Sequence, residues 1–435
     1  MADEKIRSVI IGLDGVPYGL LRAFAEEGVM PNTADLMENG TLKKMKSSIP
    51  EISSVAWSSV ITGVNPGEHG IFGFTDIPPN TYRLTFPNFN NLKVNPFWEK
   101  DGSSSHILIN IPSTYPARGM NGVLISGFVA LDLEKAVFPK SLIPHLEEID
   151  YRVDVDSGKA HESMELFIKD LNVTNEARIA AYRRLWERKW DTFMLVFTGT
   201  DRLMHFLWDA YEDKTHVYGG AFRQYFRRVD EIIGEIAGKI KETDDFIMLS
   251  DHGFERLDED VYINAVLAEE RLLSFESGKE ARLANISSET KAFALDPARI
   301  YVNLEGRYPR GGVKPSEKET VIERIIDIFG SLSHEGRRVI KSIYSKDDIY
   351  SGAHREKAPD IVLMGEKGFN LKAAPGAGEV FSKGIFTGKH SYDDAFLFIN
   401  RKEPQAIMPD EPTVSDVLDI MNRMKEGSVY EGVSQ

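Results

Sequence analysis

Cysteine is absent from this chain of 435 residues. The absence excludes disulfide bridges, zinc sites built from thiolates and a cysteine nucleophile, and it fits a reducing compartment. Any nucleophile or metal ligand must therefore come from other side chains, chiefly Ser, Thr, His, Asp and Glu.

Long apolar runs are absent as well. No stretch approaches the roughly 20 apolar residues that a membrane-spanning helix needs. The N-terminal segment MADEKIRSVIIGLDG has charged residues and then a short apolar run into Asp14, without the apolar core and cleavage site of a signal peptide. We therefore expect a soluble cytoplasmic protein that does not enter a membrane.

An excess of positive charge is also missing, since the formal net charge is −15. Proteins that bind nucleic-acid polymers grip the phosphate backbone with clustered Lys and Arg, so we expect no such polymer as a partner. A small phosphorylated substrate stays compatible with this charge if its site carries local positive charge. The sequence makes no prediction about the oligomeric state.

What the chain does contain is an alternation of apolar runs and amphipathic helical patterns. Runs such as RSVIIGLDG, DTFMLVFTG and DDFIMLSDHG predict buried strands, and the pattern over residues 175–190 predicts a helix. This alternation is typical of an α/β fold in which helices cover both faces of a mostly parallel sheet. Hydrophobic residues make up 42% of the chain, which is enough for a large core.

Aspartate follows three of the predicted strands. Asp14 follows the first, Asp201 comes shortly after DTFMLVFTG, and Asp251 follows the third with His252 beside it. In open α/β sheets, ligands bind beyond the carboxyl ends of the strands. We therefore expect these side chains to converge.

Two further histidines extend this group. His205 lies four residues after Asp201, which places both on one helix face with Thr200 as the predicted N-cap, and His390 lies in a Gly-containing loop before an apolar strand. Alone, each pattern fits a salt bridge or a polar turn as well as a ligand. Together, these carboxylates and imidazoles suit two divalent ions, with zinc the first candidate and manganese the second. The predicted ligands are Asp14, Asp201, His205, Asp251, His252 and His390.

Five segments, taken in order, resemble the type I phosphodiesterase/nucleotide pyrophosphatase branch of the alkaline phosphatase superfamily. They are IIGLDG, SIPEISSVAWSSVITGVNPGEHGIFGF, FTGTDRLMHFLWD, LSDHGF and TGKHSYDD. The resemblance covers most of the chain and implies an alkaline phosphatase-like α/β domain.

The resemblance also implies a nucleophile. In that family a Thr or Ser at a helix start lies nine residues before the Thr of a TG that precedes P-x-x-H-G, and counting back from Thr62 gives Ser53. Ser54 stays open as a rival, because EISSVAW offers two hydroxyls. By resemblance, Asp201, His205 and His390 hold one ion, and Asp14, Asp251, His252 and Ser53 hold the other.

These roles imply a two-metal hydrolase that cleaves phosphate diesters, nucleotide pyrophosphates or monoesters through a covalent phosphoserine at Ser53. Nucleotide pyrophosphatases of this branch carry an Asn shortly after the nucleophile, but here Ser53 is followed by Ser-Val-Ala, which leaves the substrate open. Asn32 and Lys389 are candidate replacement donors. A cofactor-independent phosphomutase of the phosphoglycerate type and a non-catalytic phospho-ligand binding protein stay open as alternatives.

Two segments depart from the regular alternation. Residues 131–170 are rich in charge, and residues 256–358 combine strand-like runs, turn residues and the helical stretch SEKETVIERIIDIFG. We expect both to be insertions, a small cap and a larger lid, in a single catalytic domain over residues 1–435.

Overall fold

The computed structural model describes residues 6–130, 132–402 and 407–431, with side chains described through residue 426. The chain forms two compact units. The first comprises Met1–Val64, Asn88–Phe254 and His390–Gln435, and the second comprises Asn65–Pro87 and Glu255–Lys389. The predicted lid segment lies in the second unit, and the predicted cap segment lies in the first, with Leu131 outside the described residues. That these segments act as lid and cap stays a prediction.

A sheet of eight strands forms the centre of the first unit. Its strands are β1 (Ser8–Leu13), β2 (Thr41–Met45), β3 (His106–Ile111), β4 (Gly122–Ser126), β5 (Val137–Phe138), β6 (Thr192–Phe197), β7 (Asp245–Leu249) and β19 (Ala395–Ile399). The strand order is β2-β19-β7-β1-β6-β3-β4-β5. Neighbours from β7 to β4 are parallel, whereas β19 pairs antiparallel with β7 and β2, and β5 pairs antiparallel with β4. The predicted α/β fold with a mostly parallel sheet is confirmed.

Helices accompany this sheet in the first unit. They are α1 (Tyr18–Glu26), α2 (Pro31–Asn39), α3 (Ser53–Thr62), α5 (Phe97–Lys100), α6 (Leu133–Ala136), α7 (Ile143–Glu148), α8 (Lys159–Glu162), α9 (Met164–Trp186), α10 (Gly199–Glu212), α11 (Gly219–Ala237) and α15 (Val417–Glu431). Helix α9 begins well before the predicted start at residue 175. Its first half buries Asp170 and Thr174 among the apolar residues, which obscures the apolar periodicity that sequence reading depends on.

The three strands that precede the predicted ligands end at the same edge of the sheet. Gly12 of β1 pairs with Val196 of β6 and with Leu249 of β7, so the three carboxyl ends lie side by side. All residues of these strands are buried, as expected for central parallel strands covered on both faces. The absence of a side chain at Gly12 leaves room for the Trp57 ring, since a Cβ atom at this position would lie 2.5 Å from Cη2 of Trp57.

The second unit has its own small sheets and its own core. Its elements are α4 (Pro66–His69), β9 (Glu259–Tyr262), α12 (Ile263–Glu269), β10 (Ala292–Leu295), β11 (Arg299–Val302), α13 (Lys318–Ser331), β12 (Ser333–His334), β13 (Arg337–Arg338), β14 (Ile340–Ser345), α14 (Lys346–Ile349), β15 (Ile361–Gly365), β16 (Phe369–Lys372) and β17 (Phe381–Ser382). The segment 65–87 belongs to this unit and contributes Ile77 and Tyr82 to its core. The strands β8 (Gly253–Arg256) and β18 (Gly388–Ser391) lie where the chain passes from one unit to the other.

Among the described helices, none combines the length and the apolar character that crossing a bilayer requires.

A buried carboxylate fixes the start of α2. Asp230 of α11 accepts hydrogen bonds from the backbone N–H groups of Asn32 and Thr33, from the Asn32 side-chain amide and from the Thr33 hydroxyl, at 2.7 to 2.9 Å. Since the first N–H groups of a helix have no partner within it, this carboxylate satisfies donors that burial would otherwise leave unpaired. The Asn32 amide is thus engaged in packing α2 against α11.

We predict that Asp230→Ala lowers the free energy of unfolding by about 2–4 kcal/mol, because four donors lose their charged acceptor. Urea denaturation measures the change. The matched control is Glu231→Gln, which removes an exposed pair with Arg228 at 2.7 Å and should cost less than about 1 kcal/mol. Equal losses in the two variants would contradict this account of α2.

Candidate metal centre

All seven residues predicted for the site lie in the first unit, and the structure brings them together. Four of them follow the aligned strands β1, β6 and β7, one is a turn further along α10, one begins α3, and one lies in β18. They are Asp14, Ser53, Asp201, His205, Asp251, His252 and His390.

The first predicted ligand set is compact. His390 Nε2 lies 3.1 Å from Asp201 Oδ1 and 3.0 Å from His205 Nε2, and His205 Nε2 lies 3.4 Å from Asp201 Oδ1. Ligand atoms bound tetrahedrally to one zinc ion lie roughly 3.3–3.6 Å apart, given bond lengths of about 2.0–2.2 Å. The three atoms therefore have nearly the spacing that a single ion requires.

The second predicted ligand set adjoins the first. His252 Nε2 lies 3.4 Å from Asp251 Oδ2 and 3.8 Å from Asp14 Oδ1. The same nitrogen lies 4.0 Å from Asp201 Oδ1, so His252 groups with Asp201 and His390 as well as with Asp14 and Asp251. The described residues thus offer two adjacent clusters of buried ligand atoms, which is the arrangement of a two-metal site.

Backbone carbonyls determine which nitrogen each of two histidines presents. His252 Nδ1 lies 3.0 Å from the carbonyl oxygen of Gly253, and His390 Nδ1 lies 2.9 Å from that of Glu51. A carbonyl oxygen only accepts, so both Nδ1 atoms carry the proton and donate it. When each ring is neutral, its Nε2 lone pair therefore faces the cluster, and such outer hydrogen bonds are usual for metal-binding histidines.

Each carboxylate in the cluster has one oxygen held by a donor. Trp57 Nε1 donates to Asp14 Oδ2 at 3.1 Å, and the Gly15 N–H donates to Asp251 Oδ1 at 3.0 Å. Asp251 Oδ2 is fully buried and has no hydrogen-bond partner. A buried anionic oxygen without a donor is costly, so a cation at this point suits the residues present.

The surroundings shift the pKa values of the three carboxyl groups in different directions. Burial, reinforced by repulsion from neighbouring aspartates, raises the pKa of Asp14 well above its ordinary value, and burial raises the pKa of Asp251 to about 7. Burial acts on Asp201 in the same direction, but His205 and His390 outweigh it and hold the pKa of Asp201 well below its ordinary value. Burial, together with His390, lowers the pKa of His252 and keeps that ring neutral.

Ser53 is the hydroxyl that faces the cluster. The Ser53 Oγ atom lies 3.1 Å from His252 Nε2 and 3.4 Å from Asp14 Oδ1. Ser53 is also the first residue of the ten-residue helix α3. The N-cap Ile52 supplies no side-chain bond, so first-turn N–H groups of α3 can act as donors to an anion. The rival hydroxyl, Ser54 Oγ, is buried without a hydrogen-bond partner.

Two more residues singled out in the sequence, Thr200 and Lys389, have other contacts in the structure. The prediction that Thr200 is an N-cap is wrong, because α10 begins at Gly199 after the N-cap residue Thr198. The Thr200 hydroxyl instead donates to the carbonyl oxygen of Asp14 at 2.6 Å, which ties the start of α10 to the end of β1. Lys389, a candidate phosphoryl donor, pairs with Glu255 at 2.7 Å.

Sequence reasoning missed two residues that contact the ligands. Trp57 holds Asp14, and Arg202 donates to Asp201 Oδ2 at 3.0 Å. The signal for Trp57 was its position one helical turn after Ser53, and the signal for Arg202 was its place beside Asp201 on α10.

Comparisons with known proteins bear on this site. The family described as Type I phosphodiesterase / nucleotide pyrophosphatase matches residues 8–393. No curated protein matches the chain. Among solved structures, phosphonoacetate hydrolase from Sinorhizobium meliloti 1021, in complex with phosphonoacetate, is similar at 15% identity with a TM-score of 0.63, over 98% of this chain and 96% of that one. Murine ectonucleotide pyrophosphatase / phosphodiesterase 5 is similar at 11% identity with a TM-score of 0.56, over 97% of this chain and 95% of that one.

We predict that Asp251→Asn stabilises the metal-free protein considerably more at pH 8 than at pH 5, where the gain is roughly 1.5 kcal/mol. The folded protein holds the Asp251 proton up to a pKa of about 7, so the contribution of this group to stability falls as the pH rises from about 4 through 7. The gain at pH 8 is up to roughly 4 kcal/mol. Thermal unfolding in the presence of a chelator measures it.

With zinc added, wild type should instead be more stable than Asp251→Asn, because an ion that binds only the folded state raises the free energy of unfolding. Asp35→Asn, at an exposed position of α2, is the control and should change neither comparison. A variant that is equally stabilised at both pH values would contradict a buried, strained carboxylate at Asp251.

Proposed function

The chain belongs to the type I phosphodiesterase / nucleotide pyrophosphatase family of the alkaline phosphatase superfamily, and from this premise we propose that it hydrolyses phosphate diesters with two divalent ions and a covalent phosphoserine at Ser53. One observation carries the proposal. The Ser53 hydroxyl lies 3.1 Å from His252 Nε2 and 3.4 Å from Asp14 Oδ1, so it shares the second cluster with the predicted ligands.

The residues present suit the proposed chemistry. Asp14, Asp201 and Asp251 together carry three negative charges when ionised, and imidazoles that bind a metal ion are neutral and add none. Two bound divalent ions would exceed this charge, lower the pKa of the Ser53 hydroxyl and stabilise charge on the phosphoryl oxygens. This local excess of positive charge would let a chain of net charge −15 accept an anion.

The proposed reaction proceeds in two displacements. Ser53 Oγ attacks phosphorus, an O–P bond forms, and the bond to the leaving alkoxide breaks; the hydroxyl proton passes to solvent and the alkoxide takes one up. Water then cleaves the Ser53–phosphate ester, which releases a phosphate monoester and restores the hydroxyl. First-turn N–H groups of α3 would donate to a phosphoryl oxygen.

The finer assignments follow from the same premise. We propose zinc as the ion in both sites, with manganese as the alternative, and a cytoplasmic location. We further propose that the cap segment 131–170 and the lid segment 256–358 select the substrate. The phosphomutase and the non-catalytic binding protein are the alternatives that the experiments must separate.

We predict that Ser53→Ala lowers turnover of bis-p-nitrophenyl phosphate by at least about 1,000-fold, because the covalent route loses its nucleophile. Ser54→Ala is the matched control on the next residue and should keep turnover within about tenfold of wild type. Both variants should still bind two metal ions. Steady-state rates and metal analysis of the purified proteins measure these outcomes, and the reverse ranking of the two variants would move the nucleophile to Ser54.

Assays of the purified wild-type protein with zinc and with manganese distinguish between the substrate classes. The comparison substrates are bis-p-nitrophenyl phosphate, p-nitrophenyl phosphate, 3-phosphoglycerate and phosphonoacetate. Preferred cleavage of the diester supports the proposal, and interconversion of phosphoglycerates would replace it with the mutase. Release of phosphate from phosphonoacetate would point to a phosphonate substrate. Two bound ions without turnover of any of the four would favour a binding protein.

A further inference from the structure

The two oxygens of Asp201 face different partners. Oδ1 lies 3.1 Å from His390 Nε2 and 3.4 Å from His205 Nε2, so it belongs to the first ligand set. Oδ2 accepts a hydrogen bond from Arg202 Nη1 at 3.0 Å. The carboxylate is thus divided between a prospective metal ion and a guanidinium.

Arg202 is itself held in place by other groups. Its Nε and Nη2 both donate to Asp154 Oδ2, at 3.0 and 2.8 Å, and its guanidinium lies 4.0 Å from the centre of the Phe128 ring. Burial acts against the charge, but Asp154 and Asp201 outweigh it and raise the pKa of Arg202, so the guanidinium stays protonated. A planar guanidinium fixed along its Nε–Nη2 edge by Asp154 presents Nη1 to Asp201 in one orientation.

The pairing has a consequence for coordination. An oxygen that accepts a charge-assisted hydrogen bond is a poorer metal ligand than its free neighbour, so Asp201 offers a single oxygen. We infer that Arg202 is a positioning residue that restricts Asp201 to one metal-binding oxygen and thereby keeps a coordination position open for the substrate. The inference rests on the proposed function, since it concerns the first ligand set, Asp201, His205 and His390.

We predict that Arg202→Met lowers turnover without lowering metal affinity. With Oδ2 released, Asp201 can bind the ion through both oxygens, and loss of a nearby positive charge also favours a cation. Metal affinity should therefore equal or exceed that of wild type, while turnover falls by about 10- to 100-fold because the substrate position is filled. If Arg202 served only to hold Asp201 in place, its removal would weaken metal binding as well.

The test is a titration of the full chain with Co²⁺ after metal removal by a chelator, followed by visible absorption and by binding affinity. Wild type should bind two ions. In Arg202→Met the absorption per ion should fall, because Co²⁺ absorbs more weakly as its coordination number rises. Arg202→Lys keeps a donor for Oδ2 and should restore the wild-type spectrum and much of the turnover.

Two further variants keep the test decisive. Arg202→Met combined with Asp154→Asn removes both charges of the pair, which is often tolerated where loss of one partner is not, and it should give the same spectrum as Arg202→Met. Arg183→Met removes another ion-paired arginine, which contacts Glu235 at 2.6 Å, and should leave spectrum and affinity unchanged.

The outcomes separate the inference from the function on which it rests. Failure of wild type to bind two ions would overturn the proposed metal site itself. Two ions in wild type, with weaker binding or an unchanged spectrum in a folded variant that carries Met at position 202, would overturn only the inference. If neither variant with Met folds, a changed spectrum in Arg202→Lys would overturn it.

Discussion

Repulsion among three buried carboxylates is the constraint on which the rest of the first unit depends. Asp14, Asp201 and Asp251 reach one point because β1, β6 and β7 end side by side. Burial, together with repulsion from the neighbouring aspartates, raises the pKa values of Asp14 and Asp251. Such an arrangement is costly in a metal-free fold and becomes favourable once cations neutralise it. The site is therefore coherent as a metal centre and poorly explained as packing.

The surrounding contacts serve the same arrangement. Backbone carbonyls orient two of the imidazoles, Trp57 and Arg202 each hold one oxygen of a carboxylate, and Thr200 ties α10 to β1. The contacts to the imidazoles and to the carboxylates leave the second nitrogen or oxygen of each group directed into the cluster. Orientation by outer hydrogen bonds is what makes metal ligands rigid enough to select geometry. The fold thus positions not only the ligand atoms but also the groups that restrain them.

The sequence predicted much of the site because its signals were local. A strand ending in Asp, and an Asp and a His four apart on a helix, can both be read without tertiary information, whereas the helix start at Ser53 came from the family resemblance. Thr200 was misread because α10 starts two residues earlier than the cap pattern suggested, with Thr198 as its N-cap, so that the Thr200 hydroxyl bonds to Asp14 instead. The pairing of Arg202 with Asp154, and the membership of residues 65–87 in the second unit, depend on contacts distant in sequence. No periodicity encodes such contacts.

The central claim, two ions held by these residues, is tested most directly by anomalous X-ray diffraction at the zinc edge from crystals grown with zinc. The account predicts two peaks, one within bonding distance of Asp201, His205 and His390, and one within bonding distance of Asp14, Asp251, His252 and the Ser53 hydroxyl. A single peak, or peaks away from these side chains, would contradict it.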